Sequence, residues 1–311
     1  MRVFVTGASG WIGSAVIPEL LAAGHRVSGL ARSDTSAAAV HELGAETLRG
    51  DLDDLDTMRA GADAADAVVH LGFKHDFTRL AESGATERAV LETFIDALDG
   101  SGRPLLFAAG VAGITPGRAV TEDDATPAVG PEAPRGGGEE LALSSASRGV
   151  RPVALRFAPS VHGDGDHGFV STLAQIAREK GNAAFVGDGS NRWAAVHRSD
   201  AARLVRLTLE ATAAATADAP APRVVHAVAE EGIAASDIAA AIGSALDLPV
   251  TSISPDDAAA HFGWMARFFG IDMPASSTLT RERLSWTPTG PTLLDDLASG
   301  SYSPAADAAP R

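Results

Sequence analysis

Three glycines near the first residue constrain this chain more than any other feature. Gly7, Gly10 and Gly13 lie between an apolar run at residues 3–5 and an apolar, periodic segment at residues 14–23. This order predicts a strand, a tight turn and a helix, with glycines that let the backbone turn and approach a diphosphate closely. The amino end of the helix offers unpaired amides and partial positive charge to an anion. We therefore predict that the residues of this turn bind a nucleotide diphosphate: Gly7, Ser9, Gly10, Trp11, Ile12 and Gly13.

Beyond the turn, short apolar runs alternate with amphipathic segments. The runs at residues 26–31, 46–49, 67–71, 105–107 and 153–157 predict strands, and the segments at 35–43, 55–60, 85–98 and 139–147 predict helices. This alternation is typical of a parallel, doubly wound sheet, to which residues 224–228 are expected to add a strand. The predicted fold is α/β, a Rossmann-type doubly wound parallel sheet with a smaller C-terminal substrate lobe.

Interruptions of the alternation set the predicted domain boundaries. Residues 1–163 and 193–229 are assigned to the nucleotide-binding Rossmann domain. Residues 164–192 and 230–298 are assigned to the substrate-binding lobe, placed over the carboxyl ends of the strands, where such sheets bind ligands. Residues 299–311 are rich in Ala, Pro and Ser, which predicts a disordered tail.

Composition excludes several classes of function. The formal net charge of −15 argues against nucleic acid or an anionic membrane as partner, so local groups must hold an anionic ligand. Because there are no cysteines, disulfides, cysteine-ligated zinc and thiol catalysis are excluded. Asp164, Asp166 and His167 could suggest a metal, but no second cluster of ligands supports one, and we predict no metal site. The sequence shows neither a signal-peptide pattern nor an apolar stretch of about 18 residues. We expect a cytoplasmic protein that acts on a small molecule.

Motifs along the chain resemble those of the short-chain dehydrogenase/reductase superfamily, in its extended and atypical, NAD-dependent epimerase/dehydratase-like group. The matching segments are residues 6–13, 50–52, 69–71, 156–163, 196–200 and 284–288, so the resemblance covers residues 1 to about 298. It implies a nicotinamide dinucleotide. It also implies that Asp51 caps the adenine and Leu52 packs on it, that Leu71, Gly72 and Phe73 face the cofactor, and that Ser160 and Val161 border the nicotinamide.

The residues after the second predicted strand favour NADP(H) over NAD(H). An acidic residue there would bind the ribose hydroxyls of NAD, but Arg32 and Ser33 follow the strand instead. A guanidinium and a hydroxyl suit the 2′-phosphate of NADP. Two alternatives stay open: Arg32 is a solvated loop residue, or Asp34 serves NAD through a different turn. For Asp51 the alternative is a helix N-cap near residue 54.

The family's usual proton relay is absent from the sequence. The resemblance implies a Ser or Thr after the fifth strand and a Tyr-x-x-x-Lys on the next helix, but residues 107–113 contain no hydroxyl and residues 132–140 contain neither Tyr nor Lys. The single tyrosine is Tyr302, in the predicted tail. Arg135 falls roughly where the lysine would be, and either binds the cofactor ribose or belongs to a loose helix start. As an arginine it cannot exchange a proton near neutral pH.

Three residues are candidates for a replacement proton donor. Lys74 and His75 follow the fourth strand, whose end faces the cofactor, and His162 follows the sixth. An amine or an imidazole at these places could protonate a carbonyl or imine. Solvated charges, or a structural role for the histidine, are the alternatives.

Candidate substrate contacts come from the same loop and from the lobe. They are Asp76 and Trp264, together with Arg192 and Trp193, because residues 187–193 resemble the family segment whose arginine reaches bound substrate. Trp264 belongs to an aromatic group with Phe262, Met265, Phe268 and Phe269, which forms either the core of the lobe or the wall of an apolar pocket. His197 is expected to be structural, and the helices at 85–98 and 139–147 are apolar enough on one side for a homodimer.

Together these features predict an NADPH-dependent oxidoreductase that reduces a small apolar carbonyl or imine by hydride transfer, with a non-standard proton donor. The alternative is a non-redox protein that binds NADP(H), either a sensor or scaffold or an isomerase, lyase or cyclase that uses the same pocket.

Overall fold

A seven-stranded parallel sheet forms the centre of the protein in a computed structural model, which describes residues 1–75, 79–115 and 117–302. Its strands are β1 (Arg2–Thr6), β2 (Arg26–Ala31), β3 (Glu46–Arg49), β4 (Ala67–His70), β5 (Pro104–Gly110), β6 (Arg151–Phe157) and, later in the chain, β10 (Val224–Ala227). The order across the sheet is β10-β6-β5-β4-β1-β2-β3. The α/β Rossmann-type fold predicted from the sequence is confirmed, including the added strand near residue 224.

Helices cover both faces of this sheet. They are α1 (Gly13–Ala22), α2 (Asp34–Glu42), α3 (Leu55–Ala64), α4 (Leu80–Leu98), α5 (Gly138–Ser144) and α7 (Arg198–Ala213). Successive side chains of β1 point to opposite faces of the sheet. Val3 and Val5 pack with α1 and α7 on one face, and Phe4 packs with α3 and α4 on the other.

The connections place a ligand crevice beside β1. From β1 the chain winds to β2 and β3 on one side, then crosses to β4 and β5 on the other. A crevice opens at such a reversal, outside the carboxyl ends of the strands. The residues that follow β1 and β4 therefore meet at the position where a dinucleotide binds in sheets of this kind.

The remaining elements form a second cluster of structure. A three-stranded sheet contains β7 (Ser160–His162), β9 (Arg192–His197) and β11 (Glu230–Ala234), and β8 (Ala183–Val186) pairs with β12 (Val250–Ile253). Its helices are α6 (Phe169–Lys180), α8 (Ala235–Leu246), α9 (Ala258–Phe262), α10 (Ala266–Phe269) and α12 (Leu293–Ala298), while α11 (Thr278–Leu284) packs against α7 and β10. A separate hydrophobic cluster lies between α6, α8, β8 and β9, which gives this part its own core.

The disordered C-terminal tail was predicted to begin at residue 299, but the ordered structure continues to residue 302. Tyr302 is buried at 5% exposure in the second cluster, and its hydroxyl donates to Asp166 Oδ2 at 2.9 Å. The prediction of disorder from residue 299 is therefore wrong for residues 299–302, because an aromatic ring supplies packing that the Ala/Pro/Ser composition does not reveal. Residues 303–311 lie outside the described residues.

None of the helices within the described ranges is long and apolar enough to cross a membrane.

Candidate functional site: a dinucleotide crevice

The glycine turn between β1 and α1 is too tight for side chains. Gly7 has a left-handed φ of 64°, and a Cβ built on it would lie 2.8 Å from the backbone of Leu71 and Gly72. A Cβ on Gly13 would lie 2.1 Å from the carbonyl oxygen of Gly7. Two of the three glycines are thus required by contacts between backbones, as the sequence predicts.

The amino end of α1 is open to a ligand. Its N-cap residue, Ile12, makes no side-chain capping bond, and its first turn contains no acidic residue. Ser9 and Gly10 are exposed in front of it. The first amides of a helix need partners and favour an anion, so this end of α1 fits a diphosphate.

Trp11 fixes the turn to a distant part of the chain. Its indole Nε1 donates to the carbonyl oxygen of Val161 at 2.7 Å, and the Arg198 guanidinium stacks on its ring at 4.1 Å. Arg198 also donates to the carbonyl of Trp11 at 2.7 Å and to Ser14 Oγ at 2.6 Å. Sequence reasoning missed Arg198, since 187 residues separate it from Trp11.

The residues predicted to hold the adenosine end lie on loops after β2 and β3. Arg32 and Ser33 are both exposed, but Ser33 also forms the N-cap of α2, where its hydroxyl accepts from Ser36 N at 3.1 Å. Asp34, the alternative NAD-binding residue, pairs with Arg49 at 3.2 Å. The guanidinium of Arg32 is therefore the group after β2 best suited to an added phosphate.

Asp51 does not cap α3. That position belongs to Asp54, which accepts from Thr57 N at 3.1 Å, so the alternative N-cap role for Asp51 is wrong. Asp51 instead accepts from Asp53 N at 3.1 Å in a half-buried loop. Leu52 lies beside the crevice, with its Cδ2 3.2 Å from a Cβ built on Gly72.

A buried hydrogen-bond pair joins the ends of β1 and β4. Thr6 Oγ1 accepts from Gly72 N at 3.0 Å and bonds His70 Nδ1 at 2.7 Å. Burial lowers the pKa of His70 to about 3, so its ring is neutral. Leu71, Gly72 and Phe73 are thereby fixed directly against the glycine turn.

Lys74 forms an ion pair with Asp53. Its Nζ lies 2.5 Å from both carboxylate oxygens of Asp53, and this hydrogen bond lowers the pKa of Asp53. The geometry therefore does not support Lys74 as a proton donor. His75 is exposed, with its ring edge against Phe73 at 5.2 Å between centroids. Asp76, the predicted substrate contact, lies outside the described residues.

Arg135 lies in the turn before α5 and contacts two other elements. Its guanidinium stacks on the ring of Phe73 at 4.6 Å, and its Nε donates to Glu87 Oε2 on α4 at 2.8 Å. Phe73 directly follows Gly72, which packs against Gly7 of the glycine turn. The stacked Arg135 guanidinium therefore lies close to the crevice. Glu87 was not predicted from the sequence, where it reads as one more acidic residue of an amphipathic helix.

The three predicted residues after β6 differ in their surroundings. Ser160 is buried, and its Oγ has no hydrogen-bond partner within the described ranges. Val161 is half-buried and holds Trp11 through its carbonyl. The prediction of His162 as proton donor is wrong for this structure, because its ring is fully buried and Nδ1 lies 2.6 Å from Asp296 Oδ2 on α12.

In the lobe, most of the aromatic group is core. Trp193 is fully buried and donates from Nε1 to the carbonyl of Ile271 at 3.2 Å, so the prediction that it contacts substrate is wrong. Phe262 and Phe269 are buried beside it. Trp264 is instead 42% exposed, and its ring lies against those of Phe169 and Phe268 at the surface of the lobe, which we call its rim.

Arg192 and His197 both have structural partners. Arg192 is exposed and forms a paired contact with Asp272, from Nε at 3.1 Å and from Nη2 at 2.9 Å. His197 is the N-cap of α7 and accepts from Ser199 N at 3.3 Å, which confirms its structural role.

Comparison with known proteins identifies the family of this chain. Residues 3–221 match the model of the NAD dependent epimerase/dehydratase family. An uncharacterized protein of Schizosaccharomyces pombe is 45% identical over 303 residues, covering 97% of this chain and 100% of that protein. The 2-alkyl-3-oxoalkanoate reductase of Stenotrophomonas maltophilia is 28% identical over 223 residues, covering 68% and 66%. A UDP-glucose-4-epimerase from Stenotrophomonas maltophila, solved with bound NAD and formylated UDP-arabinopyranose, has a TM-score of 0.76 at 20% identity, with 97% of each chain covered.

The chain belongs to the NAD dependent epimerase/dehydratase family. Family membership supports a nicotinamide dinucleotide as cofactor and an NAD(P)-dependent oxidoreductase or epimerase as the class of enzyme.

Proposed function

We propose that this protein is an NADPH-dependent reductase of a small apolar carbonyl or imine. The observation that carries the proposal is the uncapped amino end of α1 behind a glycine turn that packs directly on Leu71 and Gly72. This arrangement offers several backbone amides to a diphosphate although the chain as a whole is negatively charged.

The preference for NADPH rests on Arg32. It is exposed directly after β2, where the neighbouring acidic residue, Asp34, already pairs with Arg49. A guanidinium can bind the 2′-phosphate of NADPH with two hydrogen bonds, whereas NADH offers only a ribose hydroxyl at the same position.

A bound nicotinamide dinucleotide would supply the hydride. The chain must then stabilise the negative charge that develops on the substrate oxygen and deliver a proton to it. Of the three candidates, His162 is buried against Asp296 and Lys74 is paired with Asp53. We propose His75 as the donor, since it is exposed beside Phe73 at the end of β4.

An apolar substrate fits the rim of the lobe. Trp264, Phe169 and Phe268 present ring surface there, while the nearby Arg192 is neutralised by Asp272. The relative that reduces 2-alkyl-3-oxoalkanoates supports a carbonyl substrate.

A second candidate function is a protein that binds NADP(H) without net redox chemistry. It is favoured by the absence of hydroxyl side chains from residues 107–113, which form the end of β5 and the loop directly after it. Such a protein would act as a sensor or scaffold, or as an isomerase, lyase or cyclase.

A turnover screen separates these functions. Purified protein is mixed with NADPH and a panel of aliphatic and aromatic ketones, aldehydes and imines, and absorbance at the nicotinamide band is followed together with product mass. We expect NADPH oxidation matched by a product two hydrogens heavier. Tight cofactor binding without oxidation across the panel would contradict the reductase and favour the second candidate.

A further inference from the structure

The turn before α5 has an unusual backbone. Arg135, Gly136 and Gly137 are three successive residues in the left-handed region, with φ of 55°, 60° and 62°. Glycine adopts this conformation easily, but in arginine it is strained. Strain of this kind persists only where neighbouring contacts compensate for it, and such places are often functional.

Helix α4 provides a close-fitting support for this turn. A Cβ built on Gly84 would lie 2.8 Å from Gly136 N, and one built on Gly136 would lie 2.5 Å from the carbonyl oxygen of Gly84. Arg88 Nη1 donates to the carbonyl of Gly136 at 2.9 Å. The backbone of the turn therefore lies directly on the backbone of α4, and this fixes where the Arg135 side chain begins.

Glu87, on the same stretch of α4, fixes where that side chain ends. It is only 4% exposed, and it accepts hydrogen bonds from both Nε and Nη2 of Arg135. Burial raises the pKa of Glu87, and the guanidinium opposes that shift. With Phe73 stacked on one face, the guanidinium has a fixed plane, and its Nη1 has no hydrogen-bond partner within the described ranges.

We propose that Glu87 is a positioning residue, which with the Gly84–Gly136 contact holds Arg135 at the crevice so that Nη1 binds a ribose or phosphate oxygen of the dinucleotide. The inference rests on the proposed function, since it assumes that a dinucleotide occupies the crevice. Arginine suits the task because its planar fork can bond a carboxylate and a ligand oxygen at once, which a lysine ammonium cannot do with fixed orientation.

Calorimetric titration with NADPH tests this role in a double-mutant cycle of Glu87→Gln and Arg135→Ala. We expect each single substitution to weaken binding about tenfold, the effect of losing one charge-assisted contact. The double variant should bind no more weakly than Arg135→Ala alone, because Glu87 acts only through Arg135. Glu87→Asp, which keeps the charge but withdraws it by one methylene, should lie between wild type and Glu87→Gln, and it replaces Glu87→Gln in the cycle if that variant fails to fold.

Glu82→Gln is the matched control. Glu82 lies on α4 too and binds Nε and Nη2 of Arg79, but its side chain is 65% exposed. Its substitution should leave NADPH affinity unchanged. If Glu87→Gln binds NADPH as Glu82→Gln does, or if its loss adds in full to that of Arg135→Ala, the positioning role is overturned while the proposed function stands. If wild type binds no NADPH, both are overturned.

Discussion

At the scale of single residues, the choice between the two cofactors depends on Arg32. Replacing it with alanine should weaken NADPH by about 10- to 100-fold, since hydrogen bonds to a charged group are worth about 1.5–3 kcal/mol. NADH affinity should change little, because that cofactor has no 2′-phosphate. Calorimetry with both cofactors measures the difference.

Arg59→Ala, an exposed arginine of α3, should leave both affinities unchanged. Equal losses for NADPH and NADH in Arg32→Ala would contradict the assignment of the 2′-phosphate to this residue.

His75 gives a second prediction at this scale. His75→Ala should lower kcat by about 100-fold or more with little change in NADPH affinity, as expected for loss of a general acid. Partial desolvation by its surroundings lowers the pKa of His75 below its ordinary value near 6.5. Wild-type kcat should therefore already fall as pH rises towards 6.5, because a histidine must be protonated to donate. In His75→Ala that pH dependence should disappear.

The exposed His41 on α2 provides the control, as His41→Ala should keep both the rate and the profile. A normal pH profile in His75→Ala would assign proton donation to another group.

Individual site residues were only partly predictable from the sequence. The glycines could be predicted because the backbone itself demands them. Lys74, His162 and Trp193 could not, since their roles depend on partners 21, 134 and 78 residues away. Glu87 was missed for the same reason, because only the fold brings it to Arg135, which is 48 residues away along the chain.

At the scale of elements, the strand–turn–helix unit at the start of the chain should tolerate no side chain at Gly13. A Cβ there would lie 2.1 Å from the Gly7 carbonyl oxygen, so Gly13→Ala must open the turn. We expect a loss of about 1–3 kcal/mol in unfolding free energy and an NADPH affinity too weak to measure. Urea unfolding and calorimetry provide the two measurements.

Gly270→Ala is the matched control, since a Cβ there meets nothing closer than 3.8 Å. A Gly13→Ala protein with wild-type cofactor affinity would show that the turn does not hold the diphosphate.

Elements of the large sheet were predictable because burial imposes a clear pattern on them. The bounds of β2 and β3 agree with the sequence prediction, since each is an extended run between turns. The short strands β7, β8, β11 and β12 were not predicted, because they lie where the regular alternation of strand and helix is interrupted.

At the scale of the whole molecule, two buried histidines of the large sheet, on the central strand β4 and on the edge strand β10, should make stability fall in mild acid. Burial lowers the pKa of His70 to about 3 and that of His226 to about 4, compared with an ordinary value near 6.5. Below about pH 6.5 the unfolded chain binds protons that the folded protein does not, so stability falls as pH falls towards 4. Each histidine contributes a slope of up to about 1.4 kcal/mol per pH unit.

Urea unfolding at several pH values between 7.5 and 4.5 measures this slope. His226→Gln should reduce it, whereas the exposed His41→Gln should not. Stability that stays constant between pH 6.5 and 4.5 would contradict the neutral, buried state of these rings.

Assembly of the lobe was the least predictable part of the molecule. The chain enters it at residues 164–192 and again after residue 230. Its last part contacts both regions, because Thr289 and Gly290 donate to the buried Asp200 on α7 while Tyr302 packs into the core of the lobe. These contacts join distant segments through single side chains, which leave no periodic pattern in the sequence.

Calorimetric titration of the purified protein with NADPH and NADH tests the central claim most directly. We predict saturable heat with NADPH at one site per chain, with weaker binding of NADH. The absence of binding heat and of a shift in melting temperature with either cofactor would contradict the assignment of this crevice to a nicotinamide dinucleotide.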